Sequence, residues 1–296
     1  MPAVEGVVVP LITPFKEDLA VDYEALGWLL DRLAGSGVHG VFPSSTTGEF
    51  PHLTLEEVMG VNEFTTRRVS GRVKVYAGVT ANTTHHAVKL ARHAEDVGAD
   101  GVIATTPYYF KHGEDSVREY YAAIASSVDI HVIMYVIPST TGILPSPGLV
   151  AGLAREFSNL VAVKVTYESL TYLMRLVDEV SAVRKDFSVL TGGGYQLLPA
   201  LAIGCRGGVL ALANAYPRTC VEVFRRWVEG DMEGCVRAYR RVVDLSRLYL
   251  HGEAAAVIKA LLSLGGTPVK PIVRPPMKEP DRPAIEAILG RYPIEL

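Results

Sequence analysis

Short apolar runs alternate with amphipathic stretches through the first three quarters of the chain. Eight runs rich in β-branched residues predict strands, at 6–12, 37–43, 73–79, 101–106, 131–136, 161–166, 187–191 and 207–213. A helical pattern follows each run, at 22–35, 54–70, 83–98, 115–127, 147–156, 169–184, 195–203 and 217–228. This alternation predicts repeated βα units and a parallel sheet.

The strand candidates favour a closed barrel over an open sheet. The runs at 132–136 and 161–165 are apolar on both faces, as strands covered on both sides must be. Eight such strands close naturally into a (β/α)8 TIM barrel. The alternative is a doubly wound open sheet, but the turn after the first strand reads Thr-Pro-Phe-Lys at 13–16 and has no Gly-x-Gly-x-x-Gly. We predict an α/β fold of the barrel type.

The last quarter of the chain continues the helical pattern without new strands. Helices are predicted at 232–249, 253–264 and 281–290. We therefore divide the chain into a barrel at 1–228 and a C-terminal helical extension at 229–296, an appendage and not a second independent domain.

Composition narrows the classes of partner. The 296 residues are 49% apolar and 21% charged, with a net charge of −3 and no basic run, so neither nucleic acid nor an anionic membrane is an expected partner. A small-molecule substrate is expected instead.

The amino terminus has no secretory pattern and no window is long and apolar enough to span a membrane, which predicts a cytoplasmic protein. The three cysteines, Cys205, Cys220 and Cys235, are expected to be buried thiols.

Lys164 is the first candidate for chemistry. It interrupts an otherwise uncharged strand, and the active site of a barrel lies at the carboxyl ends of its strands. Desolvation there would lower the pKa of the amine and free it to attack a carbonyl carbon, as Schiff-base lysines do. The alternative is a buried lysine paired with a carboxylate for structural reasons.

Two more segments place polar groups at strand ends. Tyr135, one strand earlier, could shuttle protons with its phenol or be a core tyrosine with a satisfied hydroxyl. The turn at 43–49 reads Pro-Ser-Ser-Thr-Thr-Gly-Glu, and its N–H and O–H donors, at Thr46, Thr47 and Gly48, could hold a carboxylate or simply form a loop.

No metal or cofactor is predicted. His85 and His86 are adjacent at the start of a predicted helix, where neighbouring side chains diverge by about 100° and do not readily hold one ion. A metal-dependent aldolase is therefore disfavoured.

Taken together, these segments resemble the dihydrodipicolinate synthase / N-acetylneuraminate lyase family of pyruvate-dependent class I aldolases. The resemblance runs from Gly6 to about Arg274. It rests on the ordered segments Thr46-Thr47-Gly48-Glu49, Leu53-Thr54-x-x-Glu57, Gly98-Ala99-Asp100-Gly101, Thr106-Pro107-Tyr108-Tyr109, Tyr135-x-x-Pro138-x-x-Thr141-Gly142, Val163-Lys164, Gly207-x-Val209, Ala213-Asn214 and Arg274-Pro275-Pro276.

The resemblance implies a role for each matching residue. Lys164 would form an imine with pyruvate, Tyr135 would move protons, and Thr46 and Tyr109 would complete a hydroxyl relay. Contacts with the pyruvate carboxyl group and the bound adduct would come from Thr47 and Val209. The tyrosine that matches Tyr109 typically reaches into a neighbouring subunit's site, so the resemblance also implies a homotetramer built as a dimer of dimers.

Two departures from the family pattern bear on the substrate. Thr140 stands where relatives that use aspartate semialdehyde have an arginine, and losing that contact removes roughly 1.5 to 3 kcal/mol. Lys164-Val165-Thr166 resembles the sugar-acid aldolases, whose threonine faces a polyol. The site pattern is therefore most similar to 2-keto-3-deoxygluconate aldolase-like members, and predicts reversible cleavage of a 2-oxo-3-deoxy sugar acid to pyruvate and an aldehyde.

Two alternatives stay open at this stage. One is 4-hydroxy-tetrahydrodipicolinate (dihydrodipicolinate) synthase, which condenses pyruvate with aspartate semialdehyde. The other is a non-catalytic barrel that binds an oxo acid, because a fold does not imply a function.

Overall fold

Eight parallel strands form a closed barrel in the computed structural model, which describes residues 4–296. The strands pair in sequence order, and the first pairs with the last. They are β1 Gly6–Pro10, β2 Gly40–Phe42, β3 Lys74–Gly78, β4 Gly101–Thr105, β5 His131–Val136, β6 Leu160–Val165, β7 Ser188–Thr191 and β8 Gly207–Val209. The predicted barrel is confirmed.

Helices surround the barrel and extend beyond it. The described residues contain α1 Tyr23–Ala34, α2 Leu55–Val69, α3 Thr84–Asp96, α4 Glu114–Ala125, α5 Pro138–Thr141, α6 Pro147–Glu156, α7 Leu170–Val183, α8 Leu197–Ala202, α9 Pro217–Val228, α10 Met232–Ser246, α11 Ala254–Leu264 and α12 Arg282–Arg291. Among them, none has both the length and the apolar character that a membrane crossing requires.

The structure departs from the predicted elements at the end of β8 and directly after β5. The eighth strand was predicted to reach residue 213, but β8 ends at Val209 and Ala211–Asn214 is a 3-10 turn. The Asn214 side chain donates to Pro10 O at 2.8 Å and accepts from Ile12 N at 3.2 Å, so it replaces the pairing that a longer strand would have given β1. The short helix α5, after β5, was not predicted.

The barrel interior is filled by side chains from alternate strand positions. Tyr135 and Lys164 pair in register on β5 and β6, so both point into the barrel. Tyr135 belongs to the apolar cluster of the interior, whose other members are Val4, Val8, Phe42, Tyr76, Ile103, Ile133, Ile137, Val161, Ala162, Leu190 and Val209. This cluster packs the barrel interior with buried apolar side chains.

The C-terminal extension packs against the barrel. Buried side chains of α10 and α11, including Leu245 and Ile258, share one hydrophobic cluster with Val7 of β1 and Leu26 of α1. The extension therefore completes the core on the β1 side. The division at residue 228 stays a prediction. The three cysteines are free and buried, as expected.

Candidate active site

A cavity of about 220 Å³ opens at the carboxyl ends of the strands. Strands β1, β5, β6 and β8 contribute wall residues, together with the turns that follow β2, β6 and β7 and with residues of the C-terminal extension. Six of the residues singled out from the sequence line it, namely Thr46, Thr47, Tyr135, Lys164, Thr166 and Val209.

Lys164 lies at the centre of this group. Its side chain is 3% exposed, and its Nζ atom lies 3.7 Å from the centroid of the Tyr135 ring and 5.4 Å from that of Phe42. Within residues 4–296 no carboxylate forms an ion pair with it. Burial lowers the pKa of the Lys164 amine, and the adjacent Tyr135 opposes that shift. Burial therefore shifts this amine toward its neutral, nucleophilic form.

A hydroxyl pair adjoins this amine. The Thr166 hydroxyl donates to the Tyr135 hydroxyl at 3.3 Å. A Cβ atom at Gly192 would stand 1.9 Å from Thr166 Oγ1, so this position must be glycine for Thr166 to keep its place. The Lys-Val-Thr pattern at 164–166 indicated only a polyol contact for Thr166 and not its bond to Tyr135, because a contact between side chains on neighbouring strands leaves no local pattern.

The turn after β2 presents backbone donors to the cavity. Ser44 and Glu49 adopt left-handed backbone conformations, at φ 51° and 58°. The N–H groups of Gly48 and Glu49 bond inside the turn, whereas in the part of the chain that the structure describes those of Thr46 and Thr47 donate to no protein acceptor. Such paired donors suit an anion.

Gly48 contributes to the turn and not to the cavity wall. Its N–H donates to the Ser45 hydroxyl at 3.0 Å, and its carbonyl accepts from the Thr13 hydroxyl at 2.7 Å. A Cβ atom there would lie 2.8 Å from Leu11 O, so the glycine permits close backbone packing. The Gly48 N–H is therefore already used within the protein.

Tyr109 and Thr140 lie outside the cavity. Tyr109 is 85% exposed, has a φ of 82°, and packs edge-on against Phe110. Thr140 is exposed on α5, where its hydroxyl donates to Ile137 O at 3.2 Å. Within one chain, neither side chain is brought to the amine of Lys164.

A second lysine is buried, although it was not singled out from the sequence. Lys259 of α11 is fully buried, pairs with the buried carboxylate of Glu49, and donates to Ile272 O at 2.8 Å. Burial lowers its pKa to about 8, against the opposing effect of Glu49. The only sequence signal was a single cation in the apolar run at 254–264, the same signal that singled out Lys164.

Arg274 forms its hydrogen bonds within the protein, away from the cavity. Its guanidinium donates to the Glu57 carboxylate and to His52 O, both at 2.6 Å, and its backbone N–H donates to Glu49 at 3.0 Å. Arg274 is not a wall residue of the cavity. It therefore does not supply the positive charge that the resemblance associates with the position of Thr140. No group of three or more potential metal ligands occurs in residues 4–296.

The fold and the cavity define a (β/α)8-barrel enzyme with a buried amine at the mouth. Comparison with known proteins narrows this class. The sequence matches the Dihydrodipicolinate synthetase family over residues 3–289. An uncharacterized DapA-like lyase of Thermofilum pendens is 44% identical over 284 residues, which cover 96% of this chain and 94% of that one.

Solved structures agree with this match. The crystal structure of dihydrodipicolinate synthase from Aquifex aeolicus superposes with a TM-score of 0.94 at 34% identity, covering 99% of this chain and 100% of that one. A prophage protein of the same family from E. coli K12, in complex with pyruvate, gives a TM-score of 0.94 at 30% identity, covering 97% and 98%. The chain belongs to the dihydrodipicolinate synthetase family and is a lyase.

Proposed function

We propose that the protein is a Schiff-base aldolase that reversibly cleaves a 2-oxo-3-deoxy sugar acid to pyruvate and an aldehyde. The observation that carries this proposal is the buried Lys164 amine, which has no carboxylate partner in the described residues and has hydroxyl groups around it. No metal or cofactor takes part in the proposed reaction.

The proposed cleavage follows from this arrangement. The Lys164 amine attacks the C2 carbonyl, and loss of water leaves a protonated imine, which acts as an electron sink. Removal of the C4 hydroxyl proton breaks the C3–C4 bond, releases the aldehyde, and moves the electron pair onto the imine as an enamine. Protonation at C3 and hydrolysis of the imine then release pyruvate. Tyr135, with Thr166 bonded to it, is the proposed proton carrier.

The substrate carboxylate fits the turn after β2. The N–H groups of Thr46 and Thr47 supply donors without protein acceptors in residues 4–296, and both residues line the cavity. Val209 provides an apolar wall for the adduct. The hydroxyl relay through Tyr109 requires a second copy of the chain, because Tyr109 is exposed in one chain.

The choice of a sugar acid rests on the groups available to the aldehyde. In the described residues, Lys164 is the only lysine or arginine that lines the cavity. Thr140 is uncharged and lies outside the cavity, and Arg274 is bonded to Glu57, so neither supplies a clamp for an acceptor carboxylate. The remaining polar contacts for the aldehyde are hydroxyl groups of the cavity wall. We expect kcat/KM for cleavage of 2-oxo-3-deoxygluconate to exceed that for condensation of pyruvate with aspartate semialdehyde.

The second candidate is dihydrodipicolinate synthase, which the similarity to the Aquifex aeolicus enzyme favours. An assay of pyruvate with a panel of aldehydes separates the two functions. If aspartate semialdehyde is the best acceptor by about tenfold, which corresponds to about 1.4 kcal/mol, the synthase assignment replaces ours.

Trapping with pyruvate and borohydride tests the imine itself. We expect a single adduct on Lys164 by peptide mass mapping, with Lys259 as an internal control that stays unmodified because it is paired with Glu49. An adduct elsewhere, or none, refutes the imine, and an adduct without turnover of any aldehyde indicates an oxo-acid-binding barrel.

The trapping rate also reports the protonation state of Lys164. Since burial lowers the pKa of this amine, the rate is expected to rise with pH and to level off below the pH of about 10.4 at which an ordinary lysine loses its proton.

The same pKa shift affects stability. Between the lowered pKa of Lys164 in the folded protein and its ordinary pKa in the unfolded chain, the unfolded chain binds more protons. The contribution of Lys164 to the free energy of unfolding therefore rises with pH in that window.

A further inference from the structure

A second, larger cavity adjoins the catalytic one. It has a volume of about 520 Å³ and shares Thr166 and Tyr195 with the catalytic cavity as wall residues. Its other walls are Pro138, Ser139, Tyr167 and Glu168. We call this cavity the vestibule. A substrate bound at Lys164 that extends past Thr166 would therefore enter the vestibule.

The polar groups of the vestibule are hydroxyls and one carboxylate. Ser139, Thr166, Tyr167 and Tyr195 carry the hydroxyls, and no lysine or arginine of the described residues lines the space. The Tyr195 hydroxyl donates to the Glu168 carboxylate at 3.2 Å. Burial, followed by the charge of Glu168, raises the pKa of Tyr195. A carboxylate and the hydroxyl bonded to it therefore form part of the vestibule wall.

The C-terminal extension holds this wall in place. The Tyr239 hydroxyl of α10 donates to the carbonyl oxygen of Tyr195. Directly before Tyr195, Gly194 packs against α10, where a Cβ atom would lie 3.1 Å from Ser246 Oγ. Contacts with α10 thus hold the backbone at residues 194 and 195, from which the Tyr195 side chain reaches Glu168.

We propose that the vestibule selects an uncharged polyhydroxy tail and rejects a phosphorylated one, with Glu168 as the residue that sets this charge preference. The inference rests on the proposed function and names the substrate class of that same site. Hydroxyl groups of the tail can donate to Glu168 and exchange hydrogen bonds with the four vestibule hydroxyls. A phosphate carries between one and a half and two negative charges near neutral pH and would meet a carboxylate without a compensating cation.

The test is a selectivity ratio measured on the full-length enzyme. Condensation of pyruvate with D-glyceraldehyde is compared with condensation with D-glyceraldehyde 3-phosphate, as kcat/KM. We expect the unphosphorylated aldehyde to be preferred by about tenfold or more at low ionic strength. Because Glu168 is exposed and its field is screened, the ratio should decrease as salt is added.

Two variants of Glu168 and one control separate charge from structure. Glu168→Gln should lower the ratio by about threefold, and Glu168→Arg by about tenfold or more, through faster turnover of the phosphorylated aldehyde. Glu179→Gln removes an exposed carboxylate of α7 that does not line the vestibule, and should leave the ratio unchanged. A general loss of structure would lower both rates without changing their ratio.

The inference and the proposed function fail in different ways. If the wild type prefers the phosphorylated aldehyde, or if both Glu168 variants keep the wild-type ratio, the inference is overturned while a pyruvate adduct on Lys164 still supports the aldolase. If no adduct forms, or if it forms and neither aldehyde reacts, both are overturned.

Discussion

Two lysines with the same sequence signal differ in their neighbours. Lys164 and Lys259 each stand alone in an apolar run, and burial lowers the pKa of both. Lys259 is held by Glu49, whereas Lys164 has aromatic rings beside it and an open cavity in front of it. The partner, and not the burial, separates a structural ammonium group from a candidate nucleophile.

Tyr135 can be tested by removing a single oxygen atom. Tyr135→Phe keeps the ring that packs beside Lys164 but deletes the hydroxyl that accepts from Thr166. We expect borohydride trapping to persist while kcat falls by about 100- to 10,000-fold, the range typical of a lost proton-transfer group.

The Tyr135→Phe experiment needs a control variant and a stated contrary outcome. Tyr120→Phe serves as a control, because the Tyr120 hydroxyl is buried against Ala81 O, outside the cavity, and its loss should not change kcat. Unchanged turnover in Tyr135→Phe would remove Tyr135 from the mechanism.

At the scale of elements, the C-terminal extension is tied to the turn that carries Thr46 and Thr47. Glu49 ends that turn, and its carboxylate is held by Lys259 of α11 and by the backbone N–H of Arg274. These contacts join parts of the chain that are more than 200 residues apart. The extension thus stabilises a turn of the catalytic cavity without contributing a charged group to it.

Breaking this ion pair should cost much of the stability of the protein. Lys259→Met leaves the Glu49 carboxylate buried without its main partner, and we expect the free energy of unfolding to fall by about 3 to 5 kcal/mol in denaturant titrations. Lys270→Met, which breaks the exposed pair with Glu17, is the matched control and should cost about 1 kcal/mol or less.

The double variant checks that explanation. Glu49→Gln combined with Lys259→Met removes both charges and should recover part of the lost stability. If the single variant were as stable as the control, the buried pair would have no structural importance.

At the scale of the whole molecule, one chain leaves part of the proposed site incomplete. Tyr109 and Phe110 are 85% and 68% exposed, and Tyr109 holds a left-handed backbone conformation that is unusual for a bulky residue. We expect a homotetramer in which Tyr109 enters the cavity of a neighbouring subunit, as the resemblance implies.

Complementation between inactive variants measures this sharing. Lys164→Ala and Tyr109→Ala should each be impaired alone, but subunits unfolded together and refolded as a mixture should regain activity, because mixed pairs contain one complete site. A mixture of Lys164→Ala and Tyr135→Phe should stay inactive, since both residues belong to the same chain's cavity. A monomer by light scattering, or no recovery in the first mixture, would refute the shared site.

Local features of the sequence were enough to predict the eight βα units and the barrel and to single out Lys164 as a candidate, because hydrophobic periodicity and a lone cation in an apolar strand can be recognised without tertiary contacts. It also supplied Tyr135, Thr46, Thr47, Thr166 and Val209, all of which line the catalytic cavity. The early end of β8 depends instead on contacts in the folded chain, where the side chain of Asn214 replaces strand pairing with β1.

Long-range contacts decided the rest. Three contacts join residues that are from 27 to 217 positions apart in the sequence. They are the ion pair between Lys259 and Glu49, the ion pair between Arg274 and Glu57, and the hydrogen bond between Tyr195 and Glu168. No periodicity records such contacts. They depend on which helices and turns meet once the barrel has closed, and this is why the groups that surround a substrate were harder to predict than the amine that would attack it.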